Sequence, residues 1–173
     1  VKLAPGLYVG YFSDDHVYVV NGFYLANREK FTASGGHISW YVVSWSAATM
    51  SWRAFRGLFI GSTNPADAAL GSLRREILDH WKTLGLLAPP SVSDNGVHAS
   101  AGPLEGLAER LIWLPNHSIA RDVFGRALHH RRVALAFASK LLDNPEVVIR
   151  GKRGLIFDLL EDWDSVDVID ALY

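Results

Sequence analysis

Asp94-Asn95-Gly96-Val97-His98-Ala99-Ser100, continued by Ala101-Gly102-Pro103 and Leu104-Glu105-Gly106-Leu107-Ala108-Glu109-Arg110-Leu111, restricts the fold of this chain most. Asn95 and Gly96 both tolerate positive φ and so specify a tight turn or loop. Leu104, Leu107, Ala108 and Leu111 recur at the i, i+3, i+4, i+7 spacing of an amphipathic helix. Pro103 suits its first turn, where no backbone donor is required, and Glu105 sits where the positive end of the helix dipole favours an acid. His98 therefore arrives on the segment that feeds a helix N-terminus. Two readings fit it: a nucleophilic imidazole kept neutral by the nearby partial positive charge, or a structural or exposed histidine. The same helix start also suits a phosphate.

A second segment upstream adds weight to the chemical reading. It is Gly61-Ser62-Thr63-Asn64-Pro65-Ala66-Asp67-Ala68-Ala69-Leu70-Gly71-Ser72-Leu73-Arg74. Together G-x-T-N-P-A-D-x-x-x-G-[ST]-[IL]-R and N-x-V-H-x-S…E-x-x-x-E, in that order, resemble the nucleoside diphosphate kinase family over about residues 23–114. The resemblance implies an α+β, ferredoxin-like sheet with helices. It also implies transfer of the γ-phosphate of a nucleoside triphosphate, with magnesium, to a nucleoside diphosphate by way of phosphohistidine.

Carried over residue by residue, His98 is similar to the phosphorylated histidine and Glu109 to the glutamate that orients it. Asn95 resembles the asparagine that reaches ribose and phosphate, and Ser100 the hydroxyl beside the histidine. Thr63 and Arg74 look like phosphate ligands, and Arg56 like the arginine ahead of the G-x-T motif, its spacing differing by one residue. In the family an early helix carries aromatic residues against the nucleobase, which makes Phe23 and Tyr24 candidates, with core packing as the competing reading. No residue is expected as a direct metal ligand. Phosphoryl transfer needs positioning and charge neutralisation above all, and arginine, threonine and a metal supply them.

The chain also departs from the family pattern. The Lys-Pro-Asp-Gly-like strand whose lysine supports the site has no match here, and Lys2 lacks its context. Ala101 stands where an acid is usual, and Ala99 where a glycine is. With Val1 as first residue, the expectation is the second part of a larger, divergent member, its sheet completed by a missing N-terminal segment or a protein partner. Homo- and hetero-oligomers are both compatible with that. The alternative function is a non-catalytic structural or accessory subunit retaining the kinase-like fold. Its support is the Ala101 departure, the extra C-terminal helices and the six Trp, six Tyr and eight Phe.

Composition bounds these readings. With 173 residues, 49% of them hydrophobic and 20% charged, the chain can build a real core. A formal net charge of -1 gives no footprint for nucleic acid. The absence of cysteine excludes disulfides and thiolate metal sites. No apolar run approaches the roughly 20 residues of a membrane-spanning helix.

Two regions are expected: a partial kinase-like domain at 1–115 and a mainly helical extension at 116–173. Residues 7–12 and 16–20 read as a β-hairpin covered on both faces, 22–33 as a short helix, and 38–45 as an inner strand. Ser51 suits the cap of a helix through Trp52, Phe55 and Leu58. Helices are expected at 73–84, 119–130 and 133–142, and short strands at 146–149 and 155–157. The basic residues 150–153 and His129-His130 read as a solvated turn and a solvated helix end. The acidic tail, 158–173, reads as one amphipathic helix that packs on its own domain or docks on a partner.

Overall fold

The computed structural model describes residues 1–4 and 7–173, the side chains of residues 4 and 22–24 excepted. The chain divides into two units, Val1–Tyr41 and Val42–Tyr173. Small antiparallel sheets and helices make up both, so the fold is mixed α and β.

In the first unit, the β-branched and aromatic residues of β2 (Leu7–Phe12) and β3 (Val17–Val20) pair as the expected hairpin, Val9 opposite Val20 and Phe12 opposite Val17. β1 (Lys2–Ala4) adds to the other side of β2, and α1 (Gly22–Thr32) follows. The expected cover on both faces is not there. Every residue of β3 is exposed, and the rings of Tyr11 and Tyr18 pack against each other at 4.6 Å on the surface. Three short strands and one helix leave too little apolar area to cover both sides of a sheet.

The inner strand expected at 38–45 does not form either. The segment has no regular structure, and Ile38, Trp40, Tyr41, Val42 and Val43 are all exposed. β-propensity describes fit to a pleated, half-buried surface, and without a neighbour to take its backbone hydrogen bonds a β-rich run stays unpaired.

The second unit opens with α2 (Trp52–Ala54), capped by Ser51 Oγ, which accepts from the Ala54 amide at 3.1 Å. The coil widens to π geometry over Phe55–Ile60, with Trp45 stacked on Phe55 and Phe55 on Phe59. Gly61 ends it at φ 98, where an added Cβ would lie 2.5 Å from Ser72 Oγ; only glycine fits this turn. A 3-10 turn at Pro65–Asp67, capped by Asn64, leads to α3 (Leu73–His80), shorter than expected and with no fully buried residue. α4 (Pro103–Trp113) starts on Pro103 as its sequence requires.

α5 (Val123–His130) begins four residues later than expected, because Asp122 caps it by accepting from the amides of Phe124 and Gly125. α6 (Leu135–Leu141) packs beside it. β4 (Glu146–Ile149) and β5 (Lys152–Leu155) form a two-residue hairpin at Arg150-Gly151, both at positive φ, the geometry that matches strand twist. The expected single tail helix is two, α7 (Ile156–Leu159) and α8 (Ser165–Leu172), separated where Asp162 takes φ 65.

The core lies in this unit. Leu104 and Leu107 of α4 meet Phe124, Leu128, Ala138, Leu141, Ile156, Leu160 and Val168 in one buried cluster. Most of these residues lie beyond 115, so the segment read as an extension supplies the larger part of the core, and α4 is anchored against it. The tail thus packs on its own unit. No described helix is long and apolar enough to cross a membrane.

Candidate functional site

The buried side of α4 leaves Glu105 and Glu109, one turn apart, on a neighbouring face. The segment 95–102 runs back along that face. His98 Nε2 lies 2.5 Å from Glu109 Oε1, and Ser100 Oγ donates to Glu109 Oε2. The Ala101 amide donates to Glu105 Oε2, which closes the start of the helix. Two further bonds hold the segment: Trp52 Nε1 donates to Ser100 O at 3.0 Å, and the Asp162 amide donates to Ala101 O at 2.9 Å.

The upstream loop docks onto the same segment. Asn95 Nδ2 donates to Thr63 O at 3.0 Å. Arg74 Nη1 donates to Gly61 O and its Nη2 to Val97 O, both at 2.8 Å, while its buried Nε has no hydrogen-bond partner among the described residues. Arg74 therefore ties the two motif loops together through their backbones. The Thr63 side chain is exposed at the loop tip.

Arg56 is engaged elsewhere. Its Nη1 donates to Glu161 Oε1 at 2.9 Å and to Asp162 Oδ1 at 2.6 Å. Beside it, Asp164 Oδ1 accepts from the Trp52 amide at 2.7 Å, so the 160–164 turn is fastened to the start of α2.

The electrostatics follow from these partners. The hydrogen bond with Glu109 raises the His98 pKa above the ordinary imidazole value, outweighing burial, and the Glu109 and Glu105 charges add to it. The side chain is 70% exposed, so solvent screens part of the effect. This corrects the expectation that the helix start keeps the ring neutral: a carboxylate in contact outweighs the partial charge of a helix end. Burial by itself would raise Glu109, but hydrogen bonds from His98 and Ser100 and the nearby positive charges hold it below its ordinary value. Burial lowers Arg74, and the like charge of Arg56 lowers it further, which sets the two guanidiniums in one electrostatic neighbourhood. For Arg56 burial also works downward, and the Glu161 and Asp162 carboxylates reverse it to a raised pKa.

His98, Glu109 and Ser100 thus form one hydrogen-bonded group, Asn95 bonds to the Thr63 backbone and Arg74 to the Gly61 and Val97 backbones, while Arg56 faces acids and not an open phosphate position. The side chains of Phe23 and Tyr24 lie outside the described ones. Two features escaped the sequence reading. Glu105 joins His98 and Glu109, with ligand-capable atoms all within 4.8 Å of one another; its place in E-x-x-x-E was the available signal. Glu161 and Asp162 reach Arg56 from more than 100 residues away, and no local pattern announces that. No protein-family model matches the chain, and neither do any curated protein or solved structure compared with it.

Proposed function

We propose that this chain is a nucleoside diphosphate kinase-like phosphotransferase in which His98 carries the phosphoryl group. The observation that carries the reading is the His98–Glu109 hydrogen bond at 2.5 Å, with Ser100 on the second carboxylate oxygen. Glu109 occupies Nε2 and so directs the lone pair of the neutral ring to Nδ1, which has no hydrogen-bond partner among the described residues. In the proposed step Nδ1 attacks the γ-phosphorus of a nucleoside triphosphate. A P–N bond forms, the P–O bond to the β-phosphate breaks, and the diphosphate leaves with the bonding electrons. Glu109 stabilises the positive charge that develops on the ring. A second nucleoside diphosphate then takes the phosphoryl group by the reverse step. Magnesium enters as part of the triphosphate substrate.

Arg74, Thr63 and Asn95 are proposed to position the phosphates beside His98, with Arg56 joining them once it leaves its acidic partners. The ferredoxin-like sheet and the lysine-bearing strand belong to the same proposal. A partner chain or a longer form of this protein supplies that strand, and the exposed apolar residues of 38–45 pair with it. Loss of one preorganised cation from a phosphoryl-transfer site costs on the order of a thousandfold in rate. The 173-residue chain alone is therefore expected to label weakly or not at all.

The test is incubation with labelled ATP and magnesium, alone and with a lysine-strand fragment, scoring acid-labile, base-stable label. Label that appears with the fragment, vanishes in His98→Ala and falls on the order of a hundredfold in Glu109→Gln supports the proposal. Robust label on the chain alone supports His98 chemistry and removes the need for the added strand. No label in either case favours the second reading, a non-catalytic subunit. What favours that reading is the engagement of Arg56 by Glu161 and Asp162, which leaves the site one free cation short.

A further inference from the structure

Glu105 has no part in the proposed phosphoryl transfer, yet it turns toward the same place as His98 and Glu109. The atoms that these three residues can offer a cation lie within 4.8 Å of one another. Each carboxylate is held at its Oε2 by a neighbouring donor of the 98–101 segment. Ser100 Oγ donates to Oε2 of Glu109, and the Ala101 amide donates to Oε2 of Glu105. Oε1 of Glu105 has no hydrogen-bond partner among the described residues, and Oε1 of Glu109 is shared with His98 Nε2 at 2.5 Å, the bond that an ion between them would displace. Fixing one oxygen of a carboxylate to orient the other is the usual second layer of a metal centre.

We propose that His98, Glu105 and Glu109 bind a zinc ion, with water completing its coordination. The donor set selects the metal. One imidazole nitrogen with two carboxylate oxygens suits zinc at about 2.0–2.2 Å, whereas magnesium and calcium prefer oxygen donors alone. The charges agree: two carboxylates one turn apart on α4 balance a divalent cation. Arg110, whose charge reaches Glu109, is paired to Asp122, and Arg74 is directed at the Gly61 and Val97 carbonyls. His98 is 70% exposed, so an ion reaches the ring without any opening of the core. Its binding replaces the His98–Glu109 hydrogen bond with two metal–ligand bonds, the Nε2 proton moving to Nδ1 of the neutral ring or to solvent from the charged one, and leaves the Ser100 and Ala101 contacts in place.

This inference does not rest on the phosphotransfer reading, because the experiment contains no nucleotide. Zinc chloride is titrated into the chain by calorimetry, with Co2+ absorbance in the visible range as a second readout. Expected is one saturable site. His98→Ala and Glu105→Gln should each weaken it roughly a hundredfold, and Ser100→Ala about tenfold. His98→Ala is on the surface and leaves the core intact. Circular dichroism of Glu105→Gln separates loss of a ligand from loss of the helix start. His80, 3.5 Å from Glu76 on α3, is the internal control, and His80→Ala should bind as the wild type does. Absence of saturable binding would overturn the proposal. So would equal affinity in wild type, His98→Ala and Glu105→Gln, or a loss confined to His80→Ala.

Discussion

At the scale of single residues, Asp122 gathers five hydrogen bonds on one buried carboxylate. It is 2% exposed and accepts from Arg110 Nε and Nη2, His117 Nε2 and the amides of Phe124 and Gly125. Burial alone would raise its pKa; hydrogen bonds from Arg110 and His117 and the Arg110 charge outweigh it and bring the carboxyl from 3.8 to about 2. Its folded pKa is depressed, so its contribution is complete above pH 4 and fades as the pH falls from about 4 to about 2. The amount is about 2 kcal/mol. Chemical denaturation between pH 2 and 5 should show this loss, and Asp122→Asn should remove that part of the slope. The variant should also cost about 3–5 kcal/mol at neutral pH, since it strands Arg110. An unchanged pH profile in Asp122→Asn would count against this reading.

At the scale of elements, the 160–164 turn between α7 and α8 acts on α2 and α4 together. The Asp162 amide holds Ala101 O, its carboxylate holds Arg56, and Asp164 holds the Trp52 amide. Leu160 anchors the turn in the core at 1% exposure, so its position is set by burial and not by the ion pair. Arg56 and its acids are partly exposed, and such pairs contribute about 0–1 kcal/mol. Glu161→Gln combined with Asp162→Asn should therefore leave the melting temperature within a few degrees of wild type. Under the phosphotransferase proposal the same double variant should bind ADP several-fold tighter by calorimetry, because Arg56 is freed for phosphate. If its ADP affinity equals that of wild type, Arg56 does not face the nucleotide.

At the scale of the whole molecule, burial is unevenly shared. The buried cluster draws on α4 to α8 in Val42–Tyr173, whereas the strands of Val1–Tyr41 expose Tyr11, Phe12, Val17, Tyr18, Val19 and Val20. Few buried apolar contacts mean cheap local opening. Amides of the β2–β3 ladder should exchange with solvent at least on the order of a hundredfold faster than those of Leu107 and Leu128. Hydrogen exchange read by mass spectrometry or NMR measures this directly. Equal protection in the two units would show that the strand unit carries cover of its own, such as a second copy of the chain.

What the sequence determined by itself is local. Asn95-Gly96, Pro103 and the leucine spacing of 104–111 specify a turn and a helix, and E-x-x-x-E on that helix sets two carboxylates one turn apart. Ser51 as a cap and the strands at 7–12 and 146–149 were equally legible, because caps and short-period patterns act within a few residues. The same information could not say whether residues 38–45 would find a pairing edge, since a strand exists only with a neighbour. Nor could it break the acidic tail at Asp162, where burial of Leu160 and Val168 on either side decides the path. The partners of Arg56 lie 105 and 106 residues away and that of the Trp52 amide 112. Only the packing of the core brings such groups together, because a long-range ion pair is too weak to choose its own partner and takes the one that buried leucines deliver.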